Sequence, residues 1–260
     1  MASDVNVLVR GQSNAERFVD YGGAARLEQR LEAALNNVDI HIVESHSNQV
    51  NSIYSGSAFL NWDTDGKQQD LVSFIKGQTA DIRDNPTITL WIHNEFDGET
   101  PGVSTGQWVS EVRADAALVR SAFEQGADTT PYVFTYVPFP TFQDGSLQAI
   151  QNGMWQLSSD GTFNARFDSN AMNGIAMDGD GYNNSRHMGS SDALRVADQL
   201  MPGMIETVSG LANVAAMPTA GDSIVSVPQS ETPVIAEVVD WDTIAAQVIA
   251  NFNATGIWYY

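Results

Sequence analysis

Ser13 sits in Gly11-Gln12-Ser13-Asn14-Ala15, directly after the apolar run Val5-Asn6-Val7-Leu8-Val9. A β-branched run that ends in a glycine turn reads as a strand delivering its C-terminal end to a site. Serine becomes a useful nucleophile only when a base takes its proton and the oxyanion that develops is stabilised. A strand-to-helix turn can direct backbone N–H groups at such an oxyanion. Far downstream, Arg186-His187-Met188-Gly189 places an imidazole just before a helix-like stretch. An early serine and a late histidine are the two ends of a Ser-His hydrolase arrangement. Taken alone, Gly-Gln-Ser-Asn is also what an ordinary turn is made of.

Other segments carry polar chemistry. Ser55-Gly56-Ser57-Ala58-Phe59-Leu60-Asn61-Trp62 places small residues where a glycine N–H can approach a substrate oxygen, although a loop glycine needs no such reason. In Trp91-Ile92-His93-Asn94-Glu95-Phe96-Asp97, an amide or imidazole can donate to an oxyanion, and the carboxylates can orient loops or bind sugar hydroxyls. The competing reading is a solvated acidic loop. A general base needs a group to fix its other ring nitrogen, and Asp178-Gly179-Asp180-Gly181 precedes His187. That run resembles a calcium loop but lacks the remaining EF-hand ligand positions and the terminal Glu, so no metal is expected.

The elements that must position these residues alternate. Strands are expected at Val5–Val9, Asp39–Val43, Thr87–Ile92 and Tyr132–Val137, with a short fifth at Gly174–Met177. Helices are expected at Ala24–Asn37, Gln69–Arg83, Gln107–Gln125 and, capped by Ser191, from Asp192 to about Val208. Alternating β and α units predict a doubly wound, flavodoxin-like α/β fold, with a parallel sheet and helices on both faces. Sites in such sheets form beyond the C-terminal strand ends, where Gly11–Asn14, the stretch after Val43, and His93–Asp97 all fall.

Composition narrows the function classes. The 260 residues carry 32 acidic and 12 basic side chains, a formal net charge of −20, which disfavours nucleic acid and anionic lipid as partners. With no cysteine, disulfides, thiolate metal sites and cysteine nucleophiles are excluded, and the four histidines show no zincin spacing. No basic n-region or apolar h-region opens the chain, and no apolar run approaches transmembrane length. The expectation is a protein that is cytoplasmic or carried on a phage-like particle. The α/β domain is expected over 1–210, a linker with Pro218, Pro228 and Pro233 over 211–233, and a docking or packing segment over 234–260 that ends Trp258-Tyr259-Tyr260. That segment either packs back on its own domain or docks to a partner, and the second alternative makes the chain a homo-oligomer or part of a larger assembly.

Together, these blocks resemble the SGNH hydrolase superfamily, nearest the branch of sialate O-acetylesterases and family 6 carbohydrate esterases. Gly11–Ala15 matches its nucleophile motif, which makes Ser13 the nucleophile, and Gly56–Trp62 matches the glycine block, which makes Gly56 an oxyanion donor with the Ser13 N–H. The third block of the branch reads Trp-x-Gln-Gly-Glu-x-Asp; here Trp91, Glu95 and Asp97 match, His93 stands for Gln and Asn94 for Gly. An Asn is the third oxyanion donor in the wider superfamily, which favours Asn94 over His93. The last block is Asp-x-x-His, but Asn184 occupies the Asp position, so either Asn184 orients His187 or a carboxylate reaches it from a longer loop, Asp180 before Asp178. Gln12, Asn14, His93, Glu95 and Asn184 are further candidates for contacting substrate or orienting the site.

The resemblance implies a serine esterase that removes O-acetyl groups from a carbohydrate through an acetyl-enzyme on Ser13. It implies His187 as base, Asp180 as its orienting group, and no metal or organic cofactor. The rival is a structural or carbohydrate-binding component of a phage-like particle that uses the fold without turnover.

Overall fold

Hydrophobic side chains on both sides of a strand leave it stable only between two layers of helix, and the first strand of this chain is of that kind. In the computed structural model, which describes residues 3–138 and 146–215, with side chains to residue 211, the apolar runs form one five-stranded parallel sheet. Its strands are β1 (Ser3–Gly11), β2 (Val38–Val43), β3 (Thr87–Ile92), β4 (Tyr132–Thr135) and β5 (Ala165–Asp168), in the order β2-β1-β3-β4-β5. The helices are α1 (Ser13–Asp20), α2 (Gly23–Ala34), α3 (Lys67–Lys76), α4 (Ala80–Asp84), α5 (Glu95–Glu99), α6 (Thr105–Phe123), α7 (Ser146–Ser158) and α8 (Ser190–Ala215).

Side-chain alternation along β1 divides the core. Val5, Val7 and Val9 pack with Phe18 of α1, Leu27 and Leu31 of α2, and Val196 and Leu200 of α8. Leu8 faces the other way, onto Leu71 and Ile75 of α3 and Val119 of α6. Further across that face, Trp91 and Phe134 pack with Trp62, Trp108 and Met154. Each fully buried aliphatic or aromatic side chain contributes about 1.5–3 kcal/mol, so the sheet is held from both faces. The doubly wound fold expected from the sequence is the fold observed.

The chain leaves β1 toward β2 on one side and returns to β3 on the other, so β1 and β3 are neighbours whose outgoing connections diverge. The crevice at such a reversal is where open α/β sheets form sites. Gly11 pairs with Ile92, so the two strands end level with each other.

Several elements differ from expectation. The fifth strand is Ala165–Asp168, and Gly174–Met177 is irregular because Gly174 (φ 65°) and Met177 (φ 50°) both take left-handed backbone. The helix expected over Gln69–Arg83 is broken at Gly77–Thr79 into α3 and α4. Three helices lie outside the expected ones: α1 is hidden in the turn sequence, α5 is a short turn of helix after β3, and α7 presents Leu147, Ile150, Met154 and Leu157 on one buried stripe. The last helix begins at Ser190 and runs to Ala215, past the boundary placed at 210, with Val208 and Leu211 buried in the core. Asp192 in its first turn accepts from Gly189 N at 3.1 Å and from Ala176 N at 2.8 Å, which fixes the entry to the helix. The rest of the expected linker and the segment 234–260 lie outside the described residues. Among the described residues, no helix is long and apolar enough to cross a membrane.

Candidate active site

Glycine is required at position 11. Its φ is +150°, and a Cβ there would lie 2.0 Å from the Ile92 carbonyl oxygen and 2.8 Å from the Ala15 Cβ. The close approach brings the end of β1 against β3 and starts α1 at Ser13, whose N–H is a first-turn amide with no partner inside the helix. Ser13 Oγ lies 3.0 Å from Nε2 of His187, a residue 174 positions away. On the other side of the ring, Nδ1 lies 2.9 Å from each carboxylate oxygen of Asp180. A proton on Nδ1, donated to Asp180, leaves Nε2 free to accept from the serine hydroxyl.

Partial desolvation works to raise the Asp180 carboxyl. The hydrogen bond and charge of His187, with help from Arg17 and Ser185, outweigh it and hold Asp180 below the usual carboxylate range. The other two groups weighed for this position are elsewhere. Asn184 is exposed, has left-handed backbone (φ 57°) and donates its N–H to Ala176 O, while Asp178 makes no hydrogen bond to the ring. The loop is knotted by buried Ser185, whose Oγ donates to His187 O at 3.0 Å and accepts from His187 N at 3.3 Å.

Asn14 ties three segments together. Its Nδ2 donates to Glu95 Oε1 at 2.6 Å and to Arg186 O at 3.1 Å, while its Oδ1 accepts from Met188 N at 2.9 Å. The peptides on both sides of His187 therefore hang from the residue after Ser13. Glu95 uses its second oxygen to accept from Asn94 N at 2.8 Å. Asn14 is fully buried, and it ties Glu95 and the His187 loop to the start of α1.

The Gly56 segment is docked on β1 through Tyr54 N, which donates to Gly11 O at 2.9 Å. Gly56 has φ +73°, a conformation that turns the chain beside Ser13. Behind it, His93 Nε2 donates to Ser57 O at 3.2 Å, and the Asp97 carboxylate accepts from Phe59 N at 3.1 Å and Leu60 N at 3.2 Å. Burial pushes the Asp97 carboxyl up, opposed by His93 and the two backbone N–H groups. His93 is enclosed by Trp62, Phe59 and Trp91.

These contacts correct the expectation for the third oxyanion donor. The Asn94 side chain is fully buried; its Nδ2 donates to Val137 O at 3.0 Å and its Oδ1 accepts from Val137 N at 2.7 Å. It braces the end of β4 and does not line the cavity. His93 does not line it either, being engaged with the underside of the Gly56 loop.

The cavity itself measures about 240 Å³ and is lined by Gln12, Ser13, Gly56, Glu95, Phe96 and His187, among others. Gln12 is 1% exposed, and its Oε1 has no hydrogen-bond partner among the described residues. Ser55, Glu99 and Arg186 complete the lining, with Arg186 Nη1 3.2 Å from Glu99 Oε1; Phe96, Glu99 and Arg186 are not among the residues the sequence singles out. A larger open hollow of about 680 Å³, near Trp155, Arg166 and Glu206, contains none of these residues. Among the described residues, one group could hold a cation: Glu16, Asp20 and His46 have ligand atoms within 4.8 Å of one another. His46 already meets Glu44 at 2.8 Å and Asp20 at 3.2 Å, so the group closes as an ion-pair network, and it includes none of Ser13, His187 and Asp180.

No family model and no curated protein matches the sequence. Solved structures do resemble the fold. TesA aligns with a TM-score of 0.52 at 13% identity, over 78% of this chain and 99% of its own. A carbohydrate esterase family 3 protein from Talaromyces cellulolyticus aligns with a TM-score of 0.52 at 15% identity, over 79% and 98%. NanS aligns with a TM-score of 0.51 at 13% identity, over 80% and 99%. These structures share the α/β fold of this chain over about four-fifths of its length.

Proposed function

We propose that this chain is a serine ester hydrolase that removes O-acetyl groups from a carbohydrate. The observation that carries the reading is the line from Ser13 Oγ to His187 Nε2 at 3.0 Å and from Nδ1 to Asp180 at 2.9 Å. In this reading, Ser13 Oγ attacks the acetyl carbonyl as its proton passes to His187 Nε2. Asp180 stabilises the imidazolium formed. The Ser13 and Gly56 N–H groups donate to the oxyanion, and the Gln12 amide supplies the third polar contact that neither Asn94 nor His93 is free to make. Collapse of the tetrahedral intermediate breaks the C–O bond, and His187 returns the proton to the departing sugar oxygen. Water, deprotonated by the same imidazole, then attacks the acetyl-enzyme and releases acetate and free Ser13.

A cavity of about 240 Å³ suits a short acyl group, and the polar lining of Glu95, Glu99 and Arg186 suits an alcohol rich in hydroxyls. The name of the family 3 carbohydrate esterase among the similar structures supports the same substrate class. Hydrolysis of p-nitrophenyl acetate by wild type and Ser13→Ala tests the reaction, and acetate release from O-acetylated saccharides tests the substrate. Wild type should turn over and Ser13→Ala should lose on the order of 10³-fold or more, since the covalent route disappears. Equal rates in the two proteins would return the chain to the non-catalytic reading.

A further inference from the structure

Where acid and base sit at Asp-x-x-His spacing, local backbone keeps them in register. Here Asp180 lies seven residues before His187, and its side chain is 29% exposed. A carboxylate so placed has other rotamers and water competing for it. What opposes them comes from another element. Arg17, one helical turn beyond Ser13 on α1, points its Nη2 at Asp180 Oδ1 across 3.1 Å. Residues four apart share a helix face, so the nucleophile and this guanidinium project from the same side of α1.

The loop is shaped to meet the arginine. A Cβ on residue 179 would fall 2.3 Å from Arg17 Nη1 and 2.3 Å from Met188 O, so only glycine lets the backbone lie against both. Gly179 N then donates to His187 O at 2.9 Å, binding the acid-bearing strand of the loop to the base-bearing one. The guanidinium is itself steadied 5.9 Å over the ring of Tyr21. Arg17 therefore meets Gly179 and Asp180 together, on a side chain only 24% exposed.

We propose that Arg17 is a positioning residue, through which the helix that carries the nucleophile also seats the carboxylate that orients His187. An ion pair this exposed adds little to stability, so its effect lies in register and not in holding the fold. Misplacing a catalytic group by a fraction of an ångström is enough to cost about 10-fold in rate. Arg17 does not line the cavity, so substrate binding is not its route.

The inference rests on the esterase reading for its kinetic arm, and a second arm is independent of turnover. Wild type, Arg17→Met, Arg17→Lys, Asp180→Asn and the Arg17→Met/Asp180→Asn double variant are assayed on p-nitrophenyl acetate. The downfield Nδ1 proton of His187 is followed in each by NMR. Arg17→Met should lower kcat about 10-fold with KM within about two-fold, and should weaken the Nδ1 resonance through faster exchange with water. Arg17→Lys should recover most of both. In the Asp180→Asn background, Arg17→Met should change neither, because the residue acts through Asp180. Wild-type kcat and an unchanged resonance in Arg17→Met would overturn the inference. So would an equal loss in both backgrounds, which is what a general folding defect produces. Ser13→Ala, run alongside, separates the two failures: if it hydrolyses as fast as wild type, the esterase reading falls while the resonance still decides the role of Arg17.

Discussion

His187 can accept from Ser13 only while its other nitrogen is a donor, and Asp180 is the group placed to keep it so. Asp180→Asn should lower kcat on the order of 10²–10⁴-fold, since the amide neither fixes the tautomer nor balances the imidazolium. Asn184→Ala, at an exposed residue whose own contact is made by its backbone N–H, should stay within about two-fold. Matched kinetics of the pair check this, and a silent Asp180 variant would refute it. Asp97 allows a test by stability. Its carboxyl is raised by burial, so the folded protein holds that proton to higher pH than the unfolded chain does. Its contribution is then full below the ordinary carboxylate value of about 3.9 and falls as pH rises through the folded value. Wild type should accordingly lose stability relative to Asp97→Asn as pH rises across that window. The variant should also carry a pH-independent cost of about 1–3 kcal/mol for an N–H of Phe59 or Leu60 left facing an amide donor. Thermal unfolding of both proteins against pH measures the gap, and a constant gap would contradict the raised carboxyl. At this scale the sequence was legible where backbone geometry is local: Gly11, before Ser13, leaves no room for a Cβ, and Gly56 takes φ +73°. It was not legible for Asn94, because an amide after a strand can face a cavity or a loop. The choice here is made by Val137, 43 positions away.

Among the elements, those with a strong apolar period could be read directly. Thr87–Ile92 is the third strand to the residue, and β1 and β2 differ only at their ends. Elements whose limits depend on tertiary contact were missed or shifted: α1 follows the turn because β1 meets β3 closely at Gly11, and the last strand lies where β4 offers an edge. One tie across elements could not be read at all. Arg10, next to the last residue of apolar β1, is fully buried and forms a bidentate pair with Asp115 of α6, one contact being Nη2 to Oδ1 at 3.0 Å. Its guanidinium lies 5.2 Å from the ring of Trp62, six residues after Gly56, and 5.1 Å from the Trp91 ring. Removing one partner leaves an uncompensated charge in the core. Arg10→Met should therefore cost about 3–5 kcal/mol, while Arg10→Met with Asp115→Leu should recover most of it. Chemical denaturation of the two variants checks the sign, and a double variant no more stable than Arg10→Met would show that the pair is needed for packing itself.

For the whole molecule, the strands, the candidate site and its supports all fall within one compact unit, Met1–Pro218. The sequence placed the end of the domain at 210 because Ala, Ser, Thr, Pro and Gly become frequent from there. Yet Val208 and Leu211 are core residues of α8, which continues to Ala215. Cutting the chain at Leu211 would therefore remove the end of a helix that packs on the sheet, and the informative cut is after Pro218. We propose that the segment beyond it serves assembly and not catalysis, since Ile244, Val248, Ile249 and Phe252 recur at near-helical spacing and Trp258, Tyr259 and Tyr260 add aromatic anchors. A protein ending at Pro218 should hydrolyse p-nitrophenyl acetate within about three-fold of the full chain, because Ser13, His187 and Asp180 all precede the cut. Its oligomeric state, read by light scattering beside the full chain, should fall. If the shortened protein is folded but inactive, or equal to the full chain in mass per particle, the segment is part of the working domain or has no role in assembly, and the proposal fails.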